Sequence, residues 1–256
     1  MQFNLTRFWR LFMKHTAEHY KYYLMATAVL IGFVALIMGF VMYAMSGPFS
    51  LQGQSVMFSL VMIIAGTIFT STVFADLGDK KKAIATLTLP ASHLEKYLVG
   101  WVYSFLIFQV VYSACFYLVL YSVLPLDDWG TQEPEYLPLF SGDYDKLVFL
   151  MLFLFLHAVS FWGSIFFAKW HFIKTAFLFF VIAGVLMFLN KLFMEQLLGV
   201  ELENASPFSN LGIMEGEQYY KVLYPEEKEG WLAIVPLGLG LLLWATAYFR
   251  LKEKDI

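Results

Sequence analysis

Apolar residues in this chain gather in long unbroken runs, without strict alternation and mostly without a one-sided helical stripe. A helix needs about 20 apolar residues to cross the roughly 30 Å hydrocarbon core of a bilayer. Runs free of charged side chains cover 24–45, 55–75, 97–124, 147–168, 175–190 and 230–249. The fifth is the shortest, and it reaches 199 only if Lys191 and Glu195 are accepted into the helix. The expected fold is therefore an all-α integral membrane protein with six transmembrane helices. Two units follow: an interfacial elbow helix over 1–21, and a six-helix domain over 22–256. The domain carries a polar loop at 76–96 and a long outer segment at 190–229.

The first 21 residues do show a stripe. Leu5, Phe8, Trp9, Phe12 and Met13 recur at helical spacing, with Arg7, Arg10 and Lys14 on the other side. This pattern predicts a basic amphipathic helix in the membrane interface, its rings at the headgroup boundary and its cations toward anionic lipid. The plainer reading is a flank that only supplies orienting charge. The first apolar run is 22 residues long and follows this basic segment, so it reads as a retained span and not a cleaved leader.

Composition supports the membrane reading. Only 14% of residues are charged and 60% are hydrophobic, against roughly 25% charged in an ordinary soluble domain. A soluble nucleic-acid binder or cytosolic enzyme is excluded, because so little polar surface would leave an apolar exterior in water. The single Cys115 excludes a disulfide framework. Charge is unevenly distributed along the chain. Segments 1–21, 76–96, 169–174 and 250–256 hold 13 of the 17 Lys and Arg residues, while the intervening polar segments hold 14 of the 20 acidic ones. The positive-inside rule then places both termini in the cytoplasm.

The loop at 76–96 is the most informative stretch. Asp79 is placed to cap a short helix in which Ile84 and Leu87 share a face behind Lys80, Lys81 and Lys82. Pro90 ends that helix. Ser92 and Glu95 form a capping-box pattern that opens the next one. The prediction is helix, break, helix, with Ile84, Leu87 and Leu89 exposed for a partner to cover.

The Lys-rich turn, the run Thr86-Leu87-Thr88-Leu89-Pro90-Ala91-Ser92, and Glu95-Lys96 opening a membrane helix resemble the membrane subunits of type-2 ABC transporters. The general plan of the chain resembles that family too. The resemblance implies a permease in the bacterial inner membrane, an exporter, paired with a second permease chain. It also implies that residues 79–96 dock a separate cytoplasmic ATPase through Asp79, Lys80, Lys81, Ile84, Leu87, Leu89, Pro90, Ser92, Glu95 and Lys96. ATP and Mg would bind to that partner, and this chain would hold no cofactor. Short outer helices before the last span are a further implication.

The sequence has no phosphate loop and no common metalloprotease or serine-hydrolase motif, so no catalytic residue is expected. His15 and His19 are spaced for a shared metal but lack a nearby third ligand in sequence. Thr67, Thr70, Ser71, Gln109, His157 and Ser160 are candidate path-lining residues. The alternative for His157 is a neutral side chain bonded to a neighbouring helix. A multi-span scaffold or assembly protein and a small channel are the rival functions.

Overall fold

The computed structural model describes residues 3–45, 47–131, 133–138, 144–200, 202–204, 211–215, 218–222 and 226–254. Within these it describes only the backbone at 80, 85–87, 144–147, 226–233 and several strand positions. Among the described residues seven helices, α1 Leu5–Ala44, α2 Leu51–Thr72, α3 Lys80–Leu87, α4 His93–Leu126, α5 Tyr144–Phe166, α6 His171–Leu198 and α7 Glu226–Lys252, are accompanied by a short 3-10 helix, Ala75–Gly78, ahead of α3. Of the seven, all but α3 are long and apolar enough to cross a membrane.

The elbow helix expected over 1–21 is not a separate element. Asn4 caps α1 by accepting from the Thr6 and Arg7 N–H groups, and the helix then runs 40 residues without interruption. At 1.5 Å per residue that is about 60 Å, twice the bilayer core. No Gly or Pro lies between 5 and 31 to break it. Its first half runs alongside the start of α4: Arg7 meets Glu95, while Phe12, His15 and Tyr23 meet Tyr103. The side turned to the protein carries Arg7, Leu11, His15 and His19, whereas Leu5, Trp9 and Met13 stay exposed. A helix in lipid can leave its apolar side outward, because lipid and protein interior are equally apolar.

Two ends of the bundle are fixed by polar ties. At one end the fully buried Gln54 donates to the carbonyls of Phe49 and Glu135 and accepts from the Leu137 N–H. The Phe49 N–H donates to Asp127 at 2.8 Å. At the other end His19 meets Asp76, and Arg7 meets Glu95. A Cβ at Gly78 would overlap the carbonyl oxygen of Ala168, so these two turns touch. Phe74, Leu77, Tyr97, Phe161, Ile165 and Leu251 form one core there. The four basic segments thus meet at one end, as the charge pattern predicts; a second core joins α1, α2 and α4 toward the other end.

The outer segment departs from the helical expectation. α6 continues to Leu198 with Lys191 and Glu195 paired one turn apart at 3.6 Å, and Gly199 closes it in the left-handed conformation that favours glycine. Beyond it lies an antiparallel sheet of β1 Leu202–Asn204, β2 Leu211–Glu215 and β3 Gln218–Val222. Leu211 pairs with Val222 and Glu215 with Gln218. Two residues, Gly216 and Glu217, separate β2 from β3 in sequence. That is the hairpin spacing a strand reading would have used.

Candidate functional site

The segment at 76–96 has the form its sequence predicts. The Asp79 carboxylate accepts from the Lys81 and Lys82 N–H groups and starts α3. A break follows through Pro90. Ser92 then opens α4 with both capping-box bonds made: Glu95 N–H to Ser92 Oγ at 3.2 Å and Ser92 N–H to Glu95 Oε2 at 2.9 Å. Each bond satisfies a backbone donor that the helix start would otherwise leave unpaired.

Glu95 does more than cap. Its Oε1 accepts from the Asn4 N–H at 2.8 Å and from Arg7 Nε and Nη2 at 3.3 and 3.1 Å. A fully buried carboxylate is costly unless donors surround it, and here two chain segments supply four. Glu95 therefore ties the start of α4 to the start of α1. No local pattern signals this contact, because the partners are about 90 positions apart in sequence.

Asp76 forms a second tie, donated to by Lys82 Nζ at 2.9 Å and facing His19 Nε2 at 3.5 Å. Burial raises the Asp76 carboxyl, but the Lys82 hydrogen bond and charge, with His19, more than offset this and hold it below its ordinary value. His15 and His19 stack at 4.4 Å. Their ring nitrogens are engaged by the Tyr23 hydroxyl, the His15 carbonyl and Asp76.

The ten expected docking residues separate into groups. Asp79, Lys81, Ile84 and Pro90 are exposed, Ile84 to 48%, and Leu89 is half-buried. Ser92, Glu95 and Lys96 are buried and cannot present themselves to a partner without rearrangement. The side chains of Lys80 and Leu87 lie outside the described residues. In the N-terminal stripe, Leu5 and Trp9 are exposed, Phe8, Phe12 and Arg7 are half-buried, and Arg10 and Lys14 are exposed.

The candidate path-lining residues differ in burial and bonding. Thr67 and Ser71 donate to carbonyls of their own helix. Thr70 and Ser160 are buried, and Gln109 is half-buried. His157 is fully buried and bonded at both nitrogens. Trp244 Nε1–H of α7 is donor only, so the 3.2 Å bond requires His157 Nδ1 to accept. The proton then sits on Nε2 and is donated to Ser104 Oγ of α4 at 3.0 Å, and the Ser104 hydroxyl donates to the Gly100 carbonyl at 2.8 Å. One neutral imidazole thus joins α4, α5 and α7 inside a shell of Phe105, Phe153 and Phe161.

A one-turn π-helix, Val102–Ile107, interrupts α4 at this point. The altered register turns the consecutive residues Tyr103 and Ser104 both inward, the first to α1 and the second to His157. Such interruptions often mark functional positions. An apolar crevice of about 360 Å³ lies nearby between α1, α2 and α4, lined by Tyr23, Phe33, Phe69, Tyr103 and Phe108 among others. No family model, curated protein or solved structure matches the chain.

Proposed function

We propose that this chain is the membrane subunit of an ATP-driven exporter of the type-2 ABC kind. Two such chains pair around the transported molecule. A separate cytoplasmic ATPase, which supplies the ATP and Mg chemistry, docks against α3 and the break before α4. Both termini then lie on the cytoplasmic side with the 13 clustered basic residues, and the first half of α1 stands at the inner headgroup level.

The observation that carries this reading is the contrast within 76–96. Ile84 and Pro90 are exposed on the outer side, while Glu95 fixes the inner end of the segment to α1 with four donors. Exposed Ile84 and Pro90, with half-buried Leu89 between them in sequence, offer an apolar surface that a partner can cover. A segment anchored rigidly behind that surface transmits a push from that partner to α4 and α1.

The test is to purify the full chain from its native membranes and identify what accompanies it. Wild type is expected to carry a protein with a nucleotide-binding phosphate loop. Ile84→Asp is expected to lower its recovery at least a hundredfold at equal membrane expression. That follows because an unpaired charge buried in an apolar groove costs several kcal/mol. Recovery unchanged by Ile84→Asp, or no such protein with wild type, overturns the reading.

A further inference from the structure

At the basic end, where α5 ends and α6 and α7 have their inner termini, several cations collect. Arg250 lies over the Phe166 ring at 5.4 Å and Lys174 over the Phe167 ring at 5.8 Å, and those two rings are in contact. Lys254 and Arg250 are electrostatic neighbours, and burial followed by that repulsion pushes the Lys254 ammonium down. Glu253 pairs with Arg250 at 3.2 Å, but Lys169, Lys174, Lys252 and Lys254 have no salt bridge among the described residues. Trp170 is 70% exposed between Lys169 and the start of α6.

This combination is specific to one environment. An exposed Trp and Phe beside lysines that have no ion pair among the described residues suit the plane where acyl chains give way to phosphates. We propose that this corner of the bundle binds the phosphate-bearing headgroup of an anionic membrane lipid, with Lys174 and Lys254 on the phosphate and Trp170 and Phe166 against the upper acyl chain. Orienting charge alone does not need cations from α6 and α7 gathered over two adjoining rings at the end of α5. The inference rests on the membrane-embedded fold and not on the transport reading, so either can fail alone.

The experiment is native mass spectrometry of the full chain purified in mixed phosphatidylglycerol and phosphatidylcholine. Wild type is expected to retain phosphatidylglycerol preferentially, and Lys174→Gln with Lys254→Gln is expected to cut that preference roughly tenfold or more. Lys81→Gln with Lys82→Gln removes as much charge from the same end and is expected to leave the preference unchanged. The Lys174→Arg and Lys254→Arg pair should keep it. If the Gln pair fails to fold, Lys174→Gln alone takes its place and is expected to cut the preference by a smaller factor. Millimolar inorganic phosphate is expected not to displace the lipid. No preference in wild type, an equal loss in the Lys81 and Lys82 control, or capture of free phosphate without lipid preference each overturns the proposal.

Discussion

α5 and α6 follow one another in the chain, are both rich in Phe, and read alike as membrane spans, yet they occupy opposite situations. α5 packs among α2, α6 and α7, and Phe153, His157, Ala158, Phe161 and Ile165 on it are fully buried. On α6, Thr175 is the buried residue, while Phe177, Phe180, Phe188 and Phe193 are each more than 60% exposed. Apolarity does not separate the two, because a Phe is as well placed in lipid as in a bundle. The small and polar stripe His157, Ser160, Gly163, Ser164 does. A bonded imidazole needs neighbouring helices, and Gly163 lets one approach: a Cβ there would overlap the Thr175 side chain.

The comparison can be broken most forcefully at His157. His157→Ala is expected to destabilise the chain by about 2–4 kcal/mol, read as the midpoint of unfolding in detergent. Most of that comes from the cavity among three Phe rings, since hydrogen bonds between membrane helices average only about 0.6 kcal/mol. His157→Leu fills the space without the bonds and should therefore cost clearly less than His157→Ala. Equal losses would mean that the bonds to Trp244 and Ser104, not packing, hold the three helices.

Next in size is a glycine pair. Gly163→Ala should cost about 1–3 kcal/mol by overpacking against Thr175. Gly184→Ala on α6 meets nothing within 4 Å and should be neutral or slightly stabilising, because Ala suits a helix better than Gly. Thermal melts of the two variants side by side decide it. Similar melts would remove Gly163 as the cause of the close α5–α6 contact.

A smaller effect is expected at Thr175. Its hydroxyl donates to the His171 carbonyl of its own helix at 2.7 Å, so Thr175→Val loses a local bond that the helix does not need. A drop above about 1 kcal/mol would show that the hydroxyl serves the interface with α5. The smallest effect belongs to Phe180→Ala, within about 0.5 kcal/mol, as for other surface positions. A large loss there would reveal that something other than lipid covers α6.

Much of the candidate docking segment was legible because its determinants are local. Asp79, Pro90 and the Ser92–Glu95 pair act within four residues, so spacing alone gives helix, break, helix. What spacing did not show was depth: Glu95 and Lys96, docking residues by the resemblance, are buried. Only the arrival of Asn4 and Arg7 makes burial of that carboxylate affordable. The outer sheet was missed for a related reason. Its strands are three to five residues long, too short for a period to stand out, and the family resemblance favoured helices.

The sequence by itself determined the membrane class, the six long apolar helices and the gathering of the basic segments at one end. Those follow from hydropathy, length and charge, which the bilayer reads one segment at a time. Tertiary structure alone decided that α1 is continuous and lies along α4, that α5 is central and α6 peripheral, and that His157 is a neutral link between α4, α5 and α7. In lipid the apolar surface of a helix is satisfied either way. Arrangement is therefore set by a few buried polar groups and close-approach glycines, and their partners lie too far along the chain for any local pattern to reveal.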